Sequence, residues 1–169
     1  MKSRLSSDDI NLWRRLVDSH KAFALALQEF LTRDVDRVTL MRNALHNEDR
    51  TTALYLLPHL KTSELEELWS DLIFLASFSH GAIQTVRDVI LSLSREWVLA
   101  RIEETAEPLL RNGTYDEYRR FLELYIALDH DLAVRLARRA VKHPSIDVKE
   151  AGEDALKKLS LSHTSSSVE

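Results

Sequence analysis

The sequence contains no cysteine. A disulfide scaffold, a thiolate zinc site and a cysteine nucleophile are therefore excluded. Glycine and proline are scarce, three of each in 169 residues. Together they normally make up roughly 12% of a chain, and strand-rich folds need them for tight turns. Their scarcity points to long helices with short connections. No apolar run approaches the ~18 residues that a membrane-spanning helix needs, so no membrane contact is expected. The polar N-terminus, Met1 to Asp9, has no apolar segment of the secretory kind, and the cytoplasm is the expected compartment. An excess of positive charge is also missing: 27 acidic against 23 basic residues leave a formal charge of -4. That weighs against general nucleic-acid binding, which relies on cationic neutralisation of phosphates.

What the chain does have is apolar residues at helical spacing almost throughout. The mix of 44% hydrophobic and 30% charged residues is that of an ordinary globular protein. The segment near 7–32 opens on Ser6, Ser7, Asp8 and Asp9, which suit a helix start. It reads as one long helix or as two broken near His20. Eight further helical segments are expected near 34–46, 48–60, 62–78, 80–93, 95–111, 114–128, 130–142 and 146–159. Their junctions carry punctuation. Thr62 and Ser63 precede Glu64 in a near capping box. Asn112 and Gly113 form a stop in which glycine would take a left-handed cap. Thr114 caps the next helix, and Pro144 ends the segment before it. The polar tail, 161–169, is expected to be disordered.

The segments pair, and the pairs recur with a period near 33 residues. Leu57 then aligns with Ile90 and Leu156, and Leu60 with Leu93 and Leu159, while the third copy fits through Leu124 and Ala127 after a one-residue slip. Paired helices with such a period mark a helical array, the alternative being a plain bundle. Residues 143–159, with Pro144, Asp147, Val148, Lys149, Ala151, Ala155, Leu156 and Leu159 at the patterned positions, resemble the second helix of a HEAT repeat. Pro108 is similar to the late, kinking proline of HEAT first helices. The resemblance is strong over one helix and rests on the period elsewhere, and that period is shorter than the usual 40 or more of the family. It implies an all-α fold, a short right-handed superhelix of about four hairpins (34–60, 62–93, 95–128, 130–159) behind an N-terminal helical cap, in a single domain over 1–160. Ala151 would be the small residue facing the preceding helix. The tetratricopeptide repeat is the second choice, since the period is near its own and GTYDEY, 113–118, is similar to its second helix.

No catalytic motif stands out. The seven histidines lack metal-ligand spacing, and His46, His80 and His143 fall near successive turns, too far apart for one zinc ion. Glu103, Glu104 and Glu107 read as a solvated face rather than an acid–base pair. No glycine-rich phosphate loop exists, and no cofactor or metal is expected. Trp13, Trp69 and Trp97 read as packing residues, with one of them free to act as an exposed anchor. One pattern does stand out: Arg135, Arg138, Arg139 and Lys142 occupy i, i+3, i+4 and i+7 of one helix. That stripe could grip carboxylates or phosphates, or could pair with Glu150, Glu153 and Asp154 of the next helix. The HEAT resemblance implies a non-catalytic scaffold that binds a protein partner. A HEAT-like nucleic-acid-binding or base-excising protein is the second reading. A self-associating protein, joined through the first helix with Phe23, Leu25, Leu27, Phe30 and Leu31, is the third.

Overall fold

The structure is a computed structural model that describes residues 6–165. It is all-helical, with no strand among the described residues, and the chain divides into two compact units, 1–37 and 38–169.

The first unit is one helix, α1 (Ser7–Thr32), unbroken at His20. Ser6 and Asp9 cap it reciprocally. The Ser6 N–H donates to the Asp9 carboxylate at 2.9 Å, and the Asp9 N–H donates to the Ser6 hydroxyl at 3.1 Å. That capping box satisfies two N–H groups a helix start leaves open. At the other end the Arg37 guanidinium donates to the carbonyls of Phe30 and Arg33 at 3.2 and 2.8 Å. No residue of α1 is buried.

The second unit carries α2 (Arg37–His46), α3 (Arg50–Leu56) followed by a 3₁₀ turn Leu57–His59, α4 (Thr62–Glu67) and α5 (Trp69–Ala76), α6 (Ile83–Ser92), α7 (Arg95–Leu99) and α8 (Ile102–Arg111), α9 (Tyr115–Leu128), α10 (His130–Val141) and α11 (Ile146–Ser165). One buried apolar cluster runs through it from Met41 to Leu159. α5 packs on α6 and α8; α6 packs on α3 and α9; α9, α10 and α11 pack mutually. Trp69 is buried, its indole N–H donates to the Thr105 hydroxyl at 2.8 Å, and it meets Trp97 edge-on at 5.1 Å between ring centres.

Several junctions differ in detail from the sequence reading. Glu64 accepts the Lys61 N–H at 2.9 Å, so Lys61 is the cap and α4 starts at Thr62, where the sequence places the segment. Glu117 accepts both the N–H and the hydroxyl of Thr114, at 2.7 and 2.6 Å, which fixes the start of α9 as expected. Gly113 is not left-handed; no described glycine has a positive φ. It is needed because a Cβ there would lie 2.8 Å from the Leu109 carbonyl oxygen. Helix α8 runs through Pro108, and the interruption falls earlier, between α7 and α8. The buried partner of Leu60 and Leu93 in the third copy is Leu128, since Ala127 faces solvent. α11 continues past Leu159 to Ser165, so 161–165 of the expected tail are helical, while 166–169 lie outside the described residues. Neither glycine nor proline follows Leu159, and nothing in the sequence stops the helix.

The close contact between α10 and α11 also falls one residue from its expected place. Ala151 is half-buried; the tight position is Gly152. A Cβ at Gly152 would meet the Ala137 carbonyl oxygen and the Ala140 Cβ at 2.8 Å, and the Val141 nitrogen at 2.9 Å. One residue turns a helix by about 100°, so this shift moves the seam to a different stripe of α11. Gly152→Ala gains about 1 kcal/mol of helix propensity but forces a methyl into backbone, and overpacking costs about 1–3 kcal/mol. The clash should win, lowering the melting temperature by several degrees. Gly81→Ala, with nothing within 4 Å of the new methyl, should leave the melting temperature unchanged or slightly raised.

Candidate docking surface

The basic stripe lies on α10, whose opposite side buries Leu132, Ala133, Leu136, Ala137 and Ala140. Its pairing is not with the final helix. Arg135 donates to both oxygens of Glu103, Nε at 3.1 Å and Nη2 at 2.9 Å. Arg139 donates to both oxygens of Glu107, Nη1 at 2.5 Å and Nη2 at 3.3 Å. Glu150, Glu153 and Asp154 stand on a different side of α11 from the stripe, because Gly152 and Val148 are the residues of α11 turned inward. The two patterns weighed separately in the sequence, the acids of α8 and the arginines of α10, are thus each other's partners. Both pairs are spaced i,i+4 on their helices and lie 32 residues apart in the chain, a match that comparing charges at that separation would reveal.

The forked geometry fixes the direction of each guanidinium. Arg139 holds the Glu107 carboxyl below the ordinary glutamate range, through hydrogen bonding first and with help from its own and Arg111's charge. Arg138 and Lys142 are exposed and have no carboxylate partner among the described residues. Four basic groups against two acids leave this face with a net positive charge.

Between α8, α9 and α10 the same side chains border a cleft of about 170 Å³, lined by Glu103, Glu107, Arg135 and Arg139 around Tyr125, with Leu110 and Leu136 as apolar wall. Tyr125 is 2% exposed, and its hydroxyl has no hydrogen-bond partner among the described residues. Burial, and then the neighbouring Glu103 charge, push the phenol well above its ordinary range, so it stays neutral and able to donate. No sequence signal marks Tyr125, which sits among the core residues of α9.

Other constellations are structural. Asp71, buried to 9% exposure, accepts from Arg42 Nε at 3.1 Å and from His46 Nε2 at 2.8 Å, which ties α2 to α5. His80 Nε2 donates to the Leu75 carbonyl at 3.0 Å, and its Nδ1 accepts the Ala82 N–H at 3.3 Å. His143 Nδ1 accepts the Ser145 N–H at 3.2 Å. Among the described residues no three His, Asp or Glu side chains are grouped to hold a metal, and no helix is long and apolar enough to cross a membrane. Comparison with known protein families, curated proteins and solved structures finds no match for this chain.

The electrostatics carry a signed expectation. A carboxyl whose folded pKa is depressed contributes stability above its unfolded pKa and loses it as pH falls through the folded value. Glu107 should therefore titrate below ordinary glutamate in a carboxyl-carbon NMR titration. Arg139→Gln should return it most of the way, leaving only Arg111 to lower it. An unshifted Glu107 in the wild-type chain would mean the fork is open in solution.

Proposed function

We propose that the second unit is a short right-handed stack of HEAT-like hairpins and that it works as a non-catalytic scaffold, docking an acidic protein segment on the exposed edge of α10. Support for the stack comes from where the side-chain bonds fall. Trp69 bonds Thr105, 36 residues on; Ser79 bonds Asp116, 37 on; Arg87 reaches the Arg120 carbonyl, 33 on; Arg95 reaches the Leu128 carbonyl, 33 on; Arg135 reaches Glu103, 32 back. All but the Arg95–Leu128 bond, which lies within the pair 95–128, join one helix pair to the next at about the period of the apolar pattern. Contacts of α5 with α8, and of α3 with α6 and α6 with α9, are those of first helices on first helices and second on second. In the last pair Val148, Ala155 and Leu159, all at patterned HEAT positions, are buried. The separations themselves sit near the tetratricopeptide period, which keeps that repeat as the second choice of family.

The single observation that carries the docking reading is the division of the stripe. Arg135 and Arg139 are held by Glu103 and Glu107, while Arg138 and Lys142 have no carboxylate partner among the described residues. An acidic segment finds two free charges beside two guanidinium groups already oriented. Nucleic acid fits less well, because half of the stripe is neutralised within the chain and a phosphate backbone needs many cationic contacts.

A second reading, self-association through α1, has its own observation. Ile10, Trp13, Val17, Ala24, Leu27 and Leu31 fall on a heptad seam with His20, bordered by Leu16 and Phe23. None is buried, and Trp13 is 65% exposed.

The docking test is direct. A fluorescent octaglutamate peptide should bind the full chain at low salt, with affinity falling as salt rises. Arg138→Gln with Lys142→Gln should weaken binding about tenfold or more, while stability changes by less than about 1 kcal/mol. Unchanged binding in that double variant would remove α10 from the reading. Light scattering of the same samples, if it gave a mass above 19.5 kDa, would favour association through α1.

A further inference from the structure

The cleft over Tyr125 holds the one feature of this face that internal pairing does not explain. A hydroxyl buried without a partner is costly, of the order of 1–3 kcal/mol, and buried polar groups are almost always satisfied. Here the orphan lies at the base of an opening of about 170 Å³, room for a few water molecules or one small polar group.

The walls narrow the chemistry of that group. Arg135 and Arg139 each spend two nitrogens on a glutamate, and a guanidinium carries five N–H donors. Donors therefore remain on both. Tyr125, kept protonated by burial, adds a phenol donor. Glu103 and Glu107 each have about half of their acceptor capacity taken by the arginines. The unused capacity of the cleft is still mainly of donors; its own charges balance, two arginines against two glutamates, and the positive excess of the face stands beside it on Arg138 and Lys142. Resting on the docking reading above, we infer that this cleft receives a side-chain carboxylate of the docked acidic segment, with the Tyr125 hydroxyl donating to one of its oxygens. A glutamate suits it better than a free ion does. The cleft shares Arg135 and Arg139 with the shallow surface formed by Arg138 and Lys142, so one acidic segment can seat a carboxylate in the cleft while its neighbours meet the two free charges outside it.

The inference separates the cleft from the stripe. Tyr125→Phe removes one oxygen that bonds nothing in the free chain, so the variant should melt at or above the wild-type temperature. Its affinity for the octaglutamate peptide should fall about tenfold, the lower end of what a hydrogen bond to a charged group is worth. The Arg138→Gln, Lys142→Gln variant should instead lose the steep salt dependence. Peptide addition to the wild-type chain should also shift the ring-carbon NMR signal of Tyr125, a readout that needs no variant to fold. If the wild-type chain binds the peptide and needs Arg138 and Lys142, but Tyr125→Phe binds equally well and the ring signal stays put, the cleft is overturned and the docking surface stands. If the wild-type chain does not bind the peptide, both fall together. Inorganic phosphate added as competitor should displace the peptide only weakly; equal displacement at matched charge would replace the seated carboxylate with a general anion site.

Discussion

The paired forks between α8 and α10 are the constraint on which this face depends. Each alone is a half-exposed ion pair worth little to stability. Their effect is geometric. They set α10 against α8, aim two guanidinium groups, and form the rim of the cleft above Tyr125. They also decide which charges of the stripe remain free. An unpaired row of four cations would repel itself along one helix face. Two glutamates at matching spacing relieve that repulsion and leave a pre-oriented surface.

The other side of α10 explains why the rim can be so closely set. Ala133, Ala137 and Ala140 are small and fully buried, and Gly152 of α11 brings the α11 backbone against that of α10. α10 is thereby gripped from behind by α11 and from the side by α9. A rigid backing of this kind lowers the entropy lost when long arginine side chains bind something.

Much of the fold was legible because the chain punctuates its helices plainly. The Thr114–Glu117 cap, the Ser6–Asp9 box and the Pro144 turn are local chemistry, read directly from adjacent residues. What local reading missed came from tertiary contact. Gly113 reads as a left-handed cap and Gly152 carries no local signal, yet both are small because backbone or side chain approaches within 3 Å. Ala151, picked for its place in a motif, sits a third of a turn from the seam. The tail past Ser160 looked unstructured on composition, while a helix without a stop signal simply continues to Ser165. For the candidate surface the stripe was visible, as helical spacing makes a charged row easy to see. Its partners were not legible: sequence adjacency offers the acids of α11 as one alternative, while the bonds reach 32 residues back to α8. Tyr125 was invisible, since an orphan hydroxyl is a property of its surroundings.

A docking surface on α10 is defined by where an acidic segment touches the chain. Amide chemical-shift mapping of the isotopically labelled full chain, titrated with octaglutamate at low salt, tests this most directly. The predicted result is a contiguous set of shifted signals on α10 around Arg138 and Lys142, extending to Glu103 and Glu107 on α8 and to Tyr125 on α9. Shifts confined to α1, or spread thinly over lysines and arginines throughout the chain, would contradict it.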